Sequence, residues 1–264
     1  MADLLTVRHV HKSFAGLKAV QDISLDVHAG AVTAVIGPNG AGKTTLFNCI
    51  TGVTKPDLAE ITLTGRGGAR SELGALDVER IARLGIARTF QQVRLFDSLS
   101  VIDNVVLGGF YRHAFGWWAA VGDRLIGGGR RHRALRAAAM NALERVALTR
   151  QAFELAGNLD HGNRRRAEIA RALAADPLVL LLDEPAAGMN RVETDQLMAL
   201  LRDLRCDGMG IVLIEHDMKL VMQVSDRIYV MDHGELLTSG APDSVAVDPR
   251  VIEAYLGKAA ASLC

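Results

Sequence analysis

Apolar and polar residues alternate over Leu4 to His11 and again over Ile23 to Val27. A period of two is what a strand buried on one face presents, so these stretches predict half-buried strands, with Phe14-Ala15-Gly16 as a loop between them. Val32, Ala34, Val35 and Ile36 read as a short buried strand, and Ile61 to Gly65 and Ile86 to Phe90 as two more. Leu178 to Leu182 and Ile211 to Ile214 are unbroken apolar runs, the pattern of parallel strands buried on both faces. Asp226 to Gly240 alternates through Ile228, Val230, a Gly234 turn and Leu236-Leu237, which predicts a hairpin. GRGGAR (65–70) is glycine-rich with no apolar context and reads as a loop.

Helical spacing appears elsewhere. Leu46, Phe47 and Ile50 give the segment after Thr45 an apolar side, and Asp77 to Leu84 is closed by Gly85 as a C-cap would close it. Ser100 to Leu107 opens with a serine and, three residues on, an aspartate, much like a capping box. His132 to Leu148 is an alanine-rich amphipathic helix, a further helix ends at Asp176-Pro177, and Asp248 to Leu256 forms the last. Strands first, then strand–helix alternation, predict an α/β core with an antiparallel β edge.

Between the third predicted strand and its helix lies Gly37-Pro38-Asn39-Gly40-Ala41-Gly42-Lys43-Thr44, which fits G-x-x-x-x-G-K-[ST]. Strand, glycine loop and helix is the context that gives this pattern physical meaning. Glycines let successive N–H groups converge on a polyphosphate at a helix N-terminus, whose partial positive charge favours anions. Lys43 would reach the β- and γ-phosphates and the Thr44 hydroxyl would ligate Mg²⁺.

The aliphatic run 178–182 ends in Asp183 and Glu184, at the strand end where open α/β sheets bind ligands. Beside a phosphate loop, Asp183 would hold Mg²⁺, usually through water, and Glu184 would polarise an attacking water. His216 ends the next apolar strand in the same way. Other residues stay open on the sequence. Phe14 is either a core aromatic or a platform for a base. Gln91 suits a metal, a water or plain solvent, because its carbonyl oxygen is a neutral acceptor. Gly108 to Arg133 carries both tryptophans, Trp117 and Trp118, and three glycines in a row; it reads as an insertion, a mobile loop or a docking surface. Arg164-Arg165-Arg166 suggests RNA less than it suggests a solvated helix face.

Composition narrows the partners. The 30 basic residues balance the 30 acidic ones, so no net field draws the chain to nucleic acid or to an anionic bilayer. Cys49, Cys206 and Cys264 have neither metal-ligand nor redox spacing, which fits a reducing compartment. Charges interrupt the apolar residues of MADLLTVRHVHKSF, so no signal peptide is expected. The longest aliphatic run is far short of the roughly 20 residues that span a bilayer. A soluble, cytoplasmic chain follows, one that meets a membrane only through a partner.

RTFQQVRLF (88–96), LDEPAAGMN (182–190), LIEHDMKLVM (213–222) and SDRIYVMDHG (225–234) complete a set whose order resembles the ATP-binding subunit of ABC transporters along the whole chain. Within that family it looks most like the ATPases of branched-chain amino-acid importers. The resemblance implies a P-loop NTPase core with an antiparallel β edge subdomain and a helical subdomain. Residues 1–264 would be one nucleotide-binding domain: 1–90 and 178–264 the ATP-binding core, 91–177 the helical part, with the insertion at about 108–133. ATP would lie on Phe14, stacking the adenine, and on Gly37, Pro38, Asn39, Gly40, Ala41, Gly42, Lys43, Thr44 and Thr45. Mg²⁺ would fall to Thr44, Asp183 and Gln91, the last also touching the membrane subunit. Glu184 becomes the catalytic base, acting with Lys43 and with His216, which contacts the γ-phosphate; Ala187, Gly188, Met189 and Asn190 become the D-loop.

The family's signature pentad falls on Leu159, Asp160, His161, Gly162 and Asn163, and here the sequence departs from the pattern. Asp160 stands where a serine normally donates to the γ-phosphate held by the opposing subunit, and an ionised aspartate there would repel it unless protonated or paired, for instance with Arg164. Leu58-Ala59 replaces a usual glycine pair, a change expected to be structural only. The resemblance implies a peripheral ATPase on the inner face of the cell membrane, held by permease subunits, paired with a second ATPase subunit and served indirectly by a solute-binding protein. A lipopolysaccharide-type exporter ATPase, a weakly active partner of a sibling ATPase and a soluble cassette acting on nucleic acid or the ribosome are the alternatives; the last usually carries two cassettes or a coiled coil, and neither is present.

Overall fold

The computed structural model describes residues 2–113 and 129–261. Ten strands among them form two sheets. In the first, β1 (Asp3–Phe14) and β2 (Leu17–His28) pair antiparallel, β4 (Leu58–Thr64) lies on the other side of β1, and β5 (Arg70–Glu72) is the edge. In the second the order is β10-β9-β3-β8-β7-β6, built from β3 (Val32–Ile36), β6 (Ile86–Arg88), β7 (Val179–Asp183), β8 (Gly210–Ile214) and β9 (Arg227–Asp232), all parallel, with β10 (Glu235–Gly240) antiparallel at the edge.

The unbroken apolar runs have a direct physical reason. Leu180, Leu182, Ile211 and Leu213 face one core, while Val179, Leu181, Val212 and Ile214 face the other. The first core packs the second sheet against α3 (Val101–His113), α4 (Gly129–Arg145), α5 (His161–Leu173) and α6 (Arg191–Cys206). The second sandwiches α1 (Lys43–Ile50) and α2 (Val78–Leu84) between the two sheets. A third cluster, under Ala34, Ile36, Ile228 and Val230, is closed by α7 (Met218–Val224), α8 (Pro242–Ala246) and α9 (Pro249–Ala261). β3, β7 and β8 are therefore covered on both sides, and a polar residue on either side of them would lose solvation without gaining a partner.

Four expectations change. The first hairpin runs further than its alternating stretches, because His9 and Asp22 take positive φ (51° and 52°) at irregularities that restore the register. Only the first part of GRGGAR is a turn, closed by Gly65 N–H to Ala69 O at 2.8 Å; Arg70 begins β5. The strand expected from Ile61 begins three residues earlier, so that Leu58 and Ala59 lie inside β4, Leu58 paired with His11. Gly108 belongs to α3 rather than to an inserted loop. It lies so close to α5 that a Cβ there would stand 1.9 Å from the Arg171 carbonyl oxygen. Trp117 and Trp118 lie outside the described residues.

Candidate functional site

β3 ends at Ile36, the glycine loop fills 37–42, and α1 begins at Lys43. The loop is gripped from both sides. A Cβ on Gly37 would sit 2.0 Å from the Met231 carbonyl oxygen of β9, and one on Gly42 2.2 Å from that of Ala19 in β2. Both residues also have positive φ (149° and 97°), so glycine is required twice over. Lys43 is buried, and its Nζ donates to the oxygens of Gly37 (2.7 Å) and Pro38 (2.9 Å). Asn39, Gly40 and Thr44 are exposed, Thr45 is half-buried and Ala41 is buried. Phe14 ends β1 at the hairpin tip with 46% of its surface exposed, which removes the core reading; the Lys12 ammonium lies 5.3 Å from its ring centre.

At the carboxyl end of β7, Asp183 is buried and receives Arg88 Nη2 on Oδ2 at 2.8 Å. Its Oδ1 is buried and accepts no hydrogen bond. A buried carboxylate oxygen with nothing donating to it suits a hard cation that prefers oxygen ligands, so the residues present fit Mg²⁺. Glu184 takes the left-handed conformation (φ 50°), which turns its carboxylate out of the strand line while its N–H still bonds Ile214 O at 2.9 Å. Gln91 Nε2 donates to Oε2 at 3.0 Å and the His216 Nε2 lies 2.8 Å from Oε1. Three residues far apart in sequence thus meet on one carboxylate, because β6, β7 and β8 run parallel and release their chains at the same edge. Gln91 makes that contact from three residues beyond the end of β6 at Arg88. Behind it, burial pushes the Glu215 carboxyl up, against the N–H groups of Ala186 and His216 that pull it down.

The pentad 159–163 opens α5. Asp160 is its N-cap, Oδ1 accepting from Asn163 N–H and Oδ2 from the Asn163 side-chain amide, each at 2.7 Å. Arg164 does not pair with it. That guanidinium reaches Asp97 (2.5 Å) and the Ala156 oxygen (3.2 Å) instead, since the N-cap carboxylate is turned toward the amides of the first turn. His161 Nε2 donates to Ala187 O at 3.0 Å, and Gly162 packs so closely on Glu193 that a Cβ would stand 2.3 Å from its Oε1. Glu193 belongs to the capping box that Asn190 forms at the start of α6. Residues 159–163 and 187–190 therefore form one patch, which their sequence separation conceals.

Residues 20–187 match the family model described as ABC transporter. The chain belongs to that family. A second model, described as branched-chain amino acid ATP-binding cassette transporter, matches residues 235–261 of this ABC ATPase. The cassette is 44% identical over 257 residues (97% of this chain, 98% of the relative) to the high-affinity branched-chain amino acid transport ATP-binding protein LivG of Salmonella typhimurium. It is 43% identical, with the same coverage, to BraF of Pseudomonas aeruginosa, whose name describes the same activity. The lipopolysaccharide export system ATP-binding protein LptB of Acidithiobacillus ferridurans is 33% identical over 97% of this chain and 98% of the relative. Among solved structures, the ADP conformation of the ATP-binding cassette MJ1267 superposes with a TM-score of 0.83 at 28% identity, covering 97% of this chain and all of that one.

Sequence reasoning passed over several residues of the cassette. Arg88 holds Asp183, and its guanidinium also donates to Asn48 Oδ1 at 2.6 Å. Arg165, read as part of a solvated face, is only 2% exposed and pairs with the equally buried Glu168 at 3.2 Å. The signal was present: Arg165, Glu168, Ile169 and Ala172 share one helix face by i, i+3, i+4 and i+7 spacing. Among the described residues no helix is long and apolar enough to cross a membrane.

Proposed function

We propose that this ABC ATPase is the ATP-binding and hydrolysing subunit of an importer for branched-chain or other hydrophobic amino acids. The observation that carries the chemistry is the Glu184 carboxylate held between Gln91 and His216 at the edge where the glycine loop opens. The substrate class rests on the relatives at 43–44% identity and on the C-terminal segment 235–261.

In this reading ATP lies on the loop amides of 37–42, Lys43, Thr44 and Thr45, with its base on Phe14. Asp183 and Thr44 would hold Mg²⁺, which when bound would neutralise charge on the phosphate oxygens. Lys43 leaves the loop carbonyls for the phosphates. Glu184 orients a water for in-line attack and takes its proton, while His216 holds the carboxylate and turns its imidazole to the γ-phosphate. Two chains close around two nucleotides, each offering its 159–163 patch to the other's ATP, and ATP shifts the population toward that closed state because it binds there best.

The permease subunits hold the cassette at the inner face of the cell membrane, and a solute-binding protein acts through them. An apolar cavity of about 510 Å³ beside the Gln91 segment supports that docking; Val53, Val78, Phe90, Phe96, Leu107 and Phe110 line it. A second reading, dependence on a sibling ATPase, is favoured by one observation: Asp160 brings a negative charge to the signature patch.

The deciding experiment is the ATPase rate of the purified chain against its concentration, with Glu184→Gln as the blank. A rate per chain that rises with concentration, and a loss of 10²-fold or more in the variant, is the expected result for removal of a base. Unchanged turnover in Glu184→Gln overturns the assignment. A flat rate at the blank's level with ATP still bound favours the sibling-dependent reading.

A further inference from the structure

Helix α5 grips the main chain that carries Gln91. Arg165, in its second turn, donates Nη1 to the Phe90 oxygen at 2.7 Å and Nη2 to the Gln91 oxygen at 2.5 Å. Glu168, one turn further on, accepts Arg165 Nη1 on Oε2 at 3.2 Å and the Phe90 N–H on Oε1 at 3.4 Å. Both side chains are buried, at 2% and 1% exposure. Arg171 approaches the same carboxylate at 3.6 Å and bonds the Arg94 oxygen, completing a row of contacts from one helix face to residues 90–94.

A forked guanidinium on two successive carbonyls fixes both position and direction of a peptide segment, which a single ammonium cannot do. Burying an ion pair this deeply is weak evidence of stabilisation, since apolar residues of similar volume often do as well. Its directional contacts are what an apolar pair cannot replace. From the segment so held, the Gln91 amide reaches the acidic strand end, 3.0 Å from Glu184.

We infer that Arg165, with Glu168 as its buried counter-charge, is a positioning residue that sets the Gln91 amide against the Glu184 carboxylate. It does so from the helix whose first residues belong to the 159–163 patch. The inference rests on the reading of Glu184 as the group that activates water.

The test is a double-mutant cycle on the full chain, with turnover measured at saturating Mg-ATP. Arg165→Gln alone leaves Glu168 buried and unpaired, so Arg165→Gln/Glu168→Gln, which keeps a neutral hydrogen-bonded pair, is the working variant. Misplacing Gln91 should lower kcat about 10- to 100-fold, as loss of orientation of around an ångström does, with the KM for ATP within about twofold of wild type. In a Gln91→Ala background the same pair of changes should lower kcat less than about twofold, because the group it positions is already gone. An equal loss in both backgrounds, or a lowered Tm with unchanged kcat, overturns the inference. Glu184→Gln runs in parallel. If it keeps full turnover, the reading of the site fails and the inference with it. If it loses turnover while the cycle is additive, only the positioning role fails.

Discussion

The His161 ring donates from Nε2 to the main-chain oxygen of Ala187 at 3.0 Å, linking the pentad that opens α5 to the turn before α6 within one chain. The contact is tight: a Cβ on Gly188 would lie 2.9 Å from that same nitrogen. His161→Ala removes the donor and leaves a partly exposed carbonyl that water can satisfy. The expected cost is about 0.5–1.5 kcal/mol, the net worth of one hydrogen bond. A urea midpoint shift with an unchanged slope checks it; no shift would mean the bond contributes nothing in solution.

Asp160 has both carboxylate oxygens on Asn163, so its charge is shared with two N–H groups at a helix N-terminus, where a negative charge is favourable. That is a structural use of the aspartate, and serine would serve it nearly as well. Asp160→Ser should therefore keep stability within about 0.5 kcal/mol, whereas Asp160→Ala should lose about 1 kcal/mol with the cap. If the patch meets a γ-phosphate across the dimer, Asp160→Ser also speeds hydrolysis by removing the repulsion. A slower Asp160→Ser enzyme would make the aspartate a working part of the patch.

Much of this was legible along the chain. The glycine loop, both apolar runs and the acidic pair are local patterns whose partners are fixed by parallel pairing, and they stand where alternation and run length placed them. What stayed hidden depends on tertiary proximity. Phe14 could not be assigned without knowing that the hairpin tip projects it into solvent. Arg165 looked solvated because three adjacent arginines obscure the helix face that buries one of them. Helix α6 drew no expectation, although Leu197, Leu200, Leu201 and Leu204 carry the spacing of a buried helix face and all four are buried. The pairing of His161 with Ala187 spans 26 residues and leaves no trace in the sequence.

Phe14 offers a half-exposed aromatic face at the end of β1, with a lysine above it. A nucleotide base on that face would gain about 1–3 kcal/mol, so Phe14→Ala should weaken ATP binding by that amount and Phe14→Trp should preserve it. Titration with a fluorescent ATP analogue measures both. Because the ring packs in no core cluster, the alanine variant should fold as well as the parent, and equal affinities would remove Phe14 from the site.

Asp248 precedes α9 and accepts from Arg250 three times: N–H at 2.9 Å, Nε at 3.1 Å and Nη2 at 2.7 Å. Arg250 also donates to Thr238 Oγ1 at 3.0 Å, fastening the last helix to β10 within the segment that matches the branched-chain family model. The guanidinium holds the Asp248 carboxyl down, from 3.8 to about 2. A depressed acid pKa in the folded state means the unfolded chain binds the proton more readily, so the contribution is complete above pH 3.8 and is lost as pH falls toward 2. Asp248→Asn should therefore lower Tm at pH 5 to 7, and its Tm should converge on that of the parent as pH drops through 3. A gap that stays constant across that range would show that the aspartate's charge plays no part in holding α9 to the sheet.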